Sequence, residues 1–248
     1  MNESAPLLEA RHLRKQFAVS GAAWENSGRR TQAVDDVSLE IFRGETFGIV
    51  GESGCGKTTL ARMLLRLIEP DSGEIVFGGE DWLAAKGARQ RQLRRRMQMV
   101  FQDPMASLDP RMRVEAIVGE PLEIHEPQLG RDELRSRTVA ALEAVGLSAD
   151  ALRRYAYEFS GGQRQRIGIA RALILKPDLI VADEPVSALD VSIAAQILEL
   201  LERLRREFSL TLLLISHSLP VVAQLASRVG VMRAGRFVEM GEAGRYSR

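Results

Sequence analysis

The residues best suited to chemistry fall in a few short stretches. In GESGCGKT, 51–58, three glycines let successive backbone N–H groups curl around phosphate, Lys57 can reach β and γ phosphates, and the Thr58 hydroxyl can ligate Mg²⁺. LIVADE, 179–184, ends an apolar run in two carboxylates. Neighbouring side chains on a strand end alternate in direction, so one of Asp183 and Glu184 can hold the water shell of Mg²⁺ while the other polarises an attacking water. His217 follows a second apolar run, LTLLLIS, and Gln102 a third, in MVFQDP. An uncharged amide can bind Mg²⁺ or orient water without altering the charge of a phosphoryl-transfer site. Phe17, just before a polar loop, can stack on a base or serve as an ordinary core aromatic.

FSGGQ, 159–163, is harder to explain. It opens the helical pattern QRQRIGIARALIL, and each glycine in a first helical turn costs about 1 kcal/mol relative to alanine. Glycine at a helix start lets a phosphate approach the backbone, yet the chain already holds one complete phosphate loop. Ser160 and Gln163 also have the spacing of an S-x-x-Q capping box, which closes a helix start without any ligand.

Strands and helices must deliver these residues. LLEARHL, AVDDVSLEI and ETFGIVG read as strands of a mostly β segment over 7–50, with a Gly-, Ser- and Arg-rich loop over 18–33. From 57 the pattern turns helical, with Leu60, Met63, Leu64, Leu67 and Ile68 on one face and Pro70 closing the helix. SGEIVFGG is a further short strand, and 105–158, including RDELRSRTVAALEAVGL, reads as several amphipathic helices. LIVAD, the helix 192–208 and LTLLLIS form strand, helix and strand at the spacing of a right-handed crossover between parallel strands. Such strands bring Glu184 and His217 to one edge although 33 positions separate them.

Composition narrows the function classes. The 248 residues are 45% apolar, ample for a core, and carry a net charge of +1. No apolar run approaches the length of a membrane helix, and the N-terminus has no apolar secretory segment, so a soluble cytoplasmic protein is expected. Cys55 is the single cysteine, which excludes an internal disulfide and cysteine-ligated zinc or iron–sulfur centres. GARQRQLRRRMQ, 87–98, holds five arginines and no acid, but arginine outnumbers lysine thirty to four across the chain, so the run reads as a solvated helix and not as a nucleic-acid site.

In this order the stretches resemble the ATP-binding cassette (ABC) ATPases over nearly the whole chain. Gly51 to Thr58 matches the Walker A motif, Gln102 the Q-loop, FSGGQ the signature, LIVADE the Walker B motif, SALD (Ser187 to Asp190) the D-loop and His217 the switch histidine. The resemblance implies an α/β P-loop core, 1–104 and 159–248, with an N-terminal antiparallel β segment and an inserted helical subdomain, 105–158. It implies ATP bound by Phe17, Gly51, Glu52, Ser53, Gly54, Cys55, Gly56, Lys57, Thr58, Thr59, Gln102 and Asp183, with Mg²⁺ on Thr58, Gln102 and Asp183. Glu184, His217 and Gln102 take the catalytic roles. Ser160, Gly161, Gly162, Gln163 and Asp190 serve a nucleotide held by a second ABC ATPase, in a homo- or heterodimer.

VGESGCGKTTLAR, FQDPMASLDPRM, EFSGGQRQRIGIARAL and DEPVSALDVSIAAQIL look most like the ATPase subunits of bacterial peptide and nickel importers. That implies a peripheral protein on the cytoplasmic face of the membrane, a separate permease, an extracytoplasmic substrate-binding protein acting indirectly, and no nucleic acid. Ser218 stands where the family usually has aspartate, Ala156 and Tyr157 replace a common Pro-His, and peptide-importer ATPases commonly continue beyond the VEMGEAGRYSR at which this chain ends. An ABC ATPase of DNA repair is the rival reading. Such proteins insert a coiled coil or zinc modules before the signature, whereas Ser160 follows Gln102 by only 58 positions. A non-catalytic cassette would be expected to lose Lys57 or Glu184, and both are present.

Overall fold

The computed structural model describes residues 5–18, 30–103 and 107–245. By contacts the chain divides into two compact units, 1–90 with 213–248, and 91–212; the chain passes back from the second to the first inside a strand.

In the first unit, β1 (Leu8–Ala18) pairs antiparallel with β2 (Arg30–Ile41) and with β4 (Ser72–Phe77), which pairs with the short β5 (Glu80–Asp81). A second layer in this unit runs β10 (Arg236–Glu242), β9 (Arg228–Arg233), β3 (Thr46–Val50), β8 (Thr211–Ser216), with β3 and β9 parallel. The expected loop at 18–33 is shorter at both ends: β1 runs through Ala18 and β2 starts at Arg30, because Phe17 and Ala18 pair with Thr31 and Arg30. What remains of that loop, 19–29, lies outside the described residues.

Helix α1 (Lys57–Leu64) also ends earlier than the sequence suggests, six residues before Pro70. Leu67, expected on its apolar face, is 54% exposed. The chain turns out at Arg66, which has φ 52°. Arg66 N–H donates to Met63 O at 2.8 Å and Leu67 N–H to Arg62 O at 2.8 Å, the bond pattern of a Schellman close. Glycine usually takes that left-handed position. Here the arginine is held by its own head group, which donates to the carbonyls of Trp82 and Ala85 at 2.9 and 2.7 Å.

The second unit contains α2 (Gly87–Arg96, entering from the first), β6 (Met97–Val100), α3 (Val114–His125), α4 (Arg131–Ala144), α5 (Gly161–Leu173), β7 (Leu179–Asp183) and α6 (Val191–Phe208). β6 and β7 are parallel neighbours, apolar apart from Gln98 and Asp183 and buried throughout except Gln98. The segment expected to form a helical subdomain, 105–158, lies wholly within this unit. The arginine-rich run is helical with Leu93 alone buried, but the helix ends at Arg96 and its arginines are not all simply solvated: Arg89 pairs with Glu80. Arg95 pairs with Glu126, and Arg96 with Asp178 at 2.7 Å. Helix α7 (Leu219–Leu225) follows β8 in the first unit.

Candidate active site

The phosphate loop belongs to the first unit. β3 is buried along its whole length and delivers Gly51 at its end. A Cβ on Gly51 would lie 2.2 Å from the Met232 carbonyl oxygen, and one on Gly56 2.1 Å from that of Ala33. At Gly54 there is open space but φ is 79°, so there the left-handed backbone itself asks for glycine. Gly235 N–H donates to Cys55 O at 2.9 Å, and Asp35 N–H to Gly235 O at 2.8 Å, tying the loop to the β9–β10 turn and to β2.

Lys57, only 4% exposed, folds back over the loop, its Nζ donating to the carbonyls of Gly51 and Glu52 at 2.7 and 2.9 Å. The hydrogen-bond ladder of α1 begins where Leu60 donates to Gly56 at 2.9 Å. The N–H groups of Lys57, Thr58 and Thr59 therefore stand outside that ladder at the positive end of the helix, beside a lysine: an arrangement that binds anions. Glu52, Ser53 and Gly54 are exposed, while Cys55 is buried with its Sγ 3.9 Å from Lys57 Nζ.

Two further expected residues belong to this unit. His217 is exposed and leaves β8, the strand beside β3. Phe17 is 40% exposed on β1 with Lys15 Nζ 5.7 Å from its ring, which removes the core-aromatic reading.

The acid pair belongs to the second unit. Asp183, the last residue of β7, is 2% exposed. Glu184 turns out of the strand with φ 45°, a left-handed conformation sparsely populated for any residue but glycine. Ser187 holds that turn: its N–H and hydroxyl both donate to Glu184 O, at 3.2 and 3.1 Å. Such strain persists where surrounding contacts over-determine it, and it clusters at working sites. Gln102, leaving β6, donates from Nε2 to Glu184 Oε2 at 3.3 Å. Two residues 82 positions apart thus meet at the ends of adjacent parallel strands.

The FSGGQ stretch forms the capping box its spacing predicts. Ser160 N–H donates to Gln163 Oε1 at 3.0 Å and Gln163 N–H to Ser160 Oγ at 3.4 Å. Ser160, Gly161 and Gln163 are exposed; Gly162 is buried. A Cβ on Gly162 would lie 2.4 Å from Ile193 Cγ2, in the first turn of α6, so helix packing by itself demands glycine there. Sequence reasoning saw only the phosphate explanation for this residue.

Asp190 caps α6, accepting from Ile193 N–H at 3.0 Å and Ser192 Oγ at 2.9 Å. The Ile193 hydrogen bond foremost holds its carboxyl below the usual range. Arg171 went unremarked in the sequence, although an arginine among Ile169, Ala170, Ala172 and Leu173, all buried, is a legible signal.

The residues proposed for Mg²⁺ offer a hydroxyl, an amide oxygen and a carboxylate. That all-oxygen set suits a hard cation. Among the described residues no three His, Cys, Asp or Glu side chains gather into a metal cluster. Mg²⁺ needs none, since one or two carboxylates suffice when substrate phosphate and water fill much of its sphere.

The family model described as ABC transporter matches residues 34–187. The oligopeptide transport ATP-binding protein OppF of Salmonella typhimurium is 49% identical over 95% of this chain and 71% of its own length. The chain belongs to the ABC transporter family. Putative oligopeptide transport ATP-binding protein YkfD of Bacillus subtilis is also 49% identical, over 96% of this chain and 71% of its own. Among solved structures, the ATP-binding cassette MJ0796, a dimer in a post-hydrolysis state bound to ADP and Pi, superposes with a TM-score of 0.83 at 26% identity, covering 95% of this chain and 98% of that one. CbiO1 from Clostridium perfringens, part of the ABC transporter complex cbiONQ, superposes with a TM-score of 0.81 at 26% identity, covering 98% and 90%. The fold is that of an ABC ATPase cassette, and the chain is an ATP-binding ATPase subunit of that family. No helix among the described residues is long and apolar enough to cross a membrane.

Proposed function

We propose that this ABC ATPase drives peptide import, hydrolysing ATP with Glu184 as general base. The observation that carries the base assignment is the strained turn at Glu184, φ 45°, held by Ser187 and facing the Gln102 amide at 3.3 Å. A carboxylate fixed by contacts other than its own charge is positioned to take a proton from water. Lys57 and the first-turn N–H groups of α1, with the loop residues Gly51 to Gly56, cradle the phosphates, and Phe17 stacks on the base. Gln102 orients the attacking water, and His217 contributes a hydrogen bond to the transferring phosphate.

Mg²⁺ held by Thr58, Gln102 and Asp183 would neutralise charge on the β and γ oxygens. Ser160 keeps its hydroxyl hydrogen while its oxygen caps α5, so it can donate to a phosphate without opening the capping box. That phosphate belongs to ATP on a second ATPase, with Gly161, Gly162, Gln163 and Asp190 completing the contact.

The import reading rests on relatives whose names state oligopeptide transport. It assigns a permease at the membrane and an extracytoplasmic peptide-binding protein as partners. No relative on which the reading rests is named for DNA repair, and that alternative is not favoured.

Glu184→Gln keeps the shape and the Gln102 contact but removes the base. Its steady-state phosphate release should fall by about 10² to 10⁴-fold with nucleotide binding retained. Release within threefold of the parent refutes the assignment.

A further inference from the structure

Arg171 sits in the last turn of α5, and its Nη1 donates to the Ser107 carbonyl oxygen at 2.8 Å. Ser107 N–H in turn donates to Asp103 O at 3.1 Å, and Asp103 follows Gln102, whose amide meets Glu184. Hydrogen bonds thus join α5 to Ser107, Ser107 to Asp103, and Gln102, the residue before Asp103, to the proposed base. The opposite end of α5, thirteen residues long, carries Ser160 and Gly162. A part-buried arginine is costly unless its donors are held, and burial does depress its pKa, with the Glu120 carboxylate on α3 opposing that. Lysine has no planar fork to hold one carbonyl in a fixed direction, so arginine suits a rigid tie.

We propose that Arg171 is a positioning residue for hydrolysis: it fixes the loop that carries Gln102 to the helix that bears Ser160 and Gly162. A displacement of α5, when a nucleotide is taken at its N-terminus, then moves Gln102 against Glu184. This rests on the function proposed above.

The test is a double-mutant cycle on the full chain, Arg171→Met against Gln102→Ala, read as kcat and KM for MgATP hydrolysis, with the thermal midpoint of each variant. Arg171→Met should lower kcat roughly tenfold with KM changed less than about twofold, as expected when an orientation and not uniform binding is lost. Arg171→Lys, which keeps the charge and one donor, should recover part of the loss. In the Gln102→Ala background Arg171→Met should change kcat by less than about 1.5-fold, because a residue acting through Gln102 has nothing left to position. An equal fall in both backgrounds, or an unchanged kcat with Gln102 intact, overturns the proposal. So does a fall that merely follows a lowered midpoint, which is the mark of packing. Should Arg171→Met not fold, the same cycle with Arg171→Lys decides on the same criteria. Glu184→Gln, run alongside, separates the readings: full hydrolysis there refutes the base itself, whereas an inactive Glu184→Gln with an additive cycle refutes only Arg171.

Discussion

A methyl group on Gly162 separates the two reasons for that glycine. Its Cβ would sit 2.4 Å from Ile193 Cγ2, well inside the 3.5–4.0 Å of ordinary carbon contact. Ile193 has a stiff χ1 in a helix, and its N–H is bound to the Asp190 carboxylate, so it does not swing aside cheaply. Overpacking of this kind costs about 1–3 kcal/mol, and alanine for a helical glycine returns about 1. The net loss for Gly162→Ala is then about 0–2 kcal/mol, a midpoint lower by up to roughly 8 °C for a chain of this size. Gly161→Ala meets only the flexible tip of Leu189, at 3.3 Å, and should leave the midpoint unchanged or slightly higher. Ile193→Ala removes the clashing methyl. The double mutant Gly162→Ala/Ile193→Ala should therefore lose less than the sum of the single changes in differential scanning fluorimetry, while hydrolysis stays depressed because the alanine also crowds the proposed phosphate contact. Strict additivity of the midpoints refutes the packing argument. Recovered hydrolysis in the double mutant would make Gly162 a packing residue only.

Two other perturbations follow from the geometry. Cys55, 8% exposed in the phosphate loop beside Lys57, should alkylate slowly, lose nucleotide binding when it does, and be protected by MgATP; equal labelling rates with and without MgATP contradict its placement at the nucleotide. Glu126 lies between Arg137 and Arg95, and the Arg137 hydrogen bond foremost holds its pKa below the ordinary 4.5. The unfolded chain therefore binds that proton more tightly, so the pairing stabilises fully above pH 4.5 and is lost as pH falls through the lower folded value. Glu126→Gln should lower the thermal midpoint at neutral pH and match the parent once the carboxylate is protonated; a difference that persists in acid refutes the ionic origin.

Much of the candidate site can be read from the sequence because its chemistry is local. A phosphate loop needs glycines within a few positions of a lysine, and a buried strand that ends at Asp183 with Glu184 just beyond it shows as an apolar run followed by two acids. What the sequence hid were contacts between distant segments. The end of α1 depends on Arg66 finding the carbonyls of Trp82 and Ala85, which no periodicity reveals, so Leu67 and Ile68 kept the look of helix positions. The Gly162–Ile193 approach joins two helices, and a single well-formed motif already offered a reason for the glycine. Phe17 was ambiguous because the pairing of β1 with β2 decides which aromatic reaches solvent. The Arg171–Ser107 bond spans 64 positions and ends on a main-chain oxygen, which carries no residue signature at all.

Sedimentation velocity on Glu184→Gln, with and without MgATP, tests most directly whether FSGGQ serves the nucleotide of another chain. Blocked hydrolysis should trap the closed state, and a ligand that binds that state better draws the equilibrium toward it. The variant should sediment as a monomer without nucleotide and as a dimer with MgATP. Adding Ser160→Arg, whose bulk fills the N-terminus of α5 and leaves the phosphate loop intact, should return it to a monomer. A dimer that forms without ATP, or one indifferent to Ser160→Arg, would reduce Ser160 and its neighbours to the helix cap already seen within one chain.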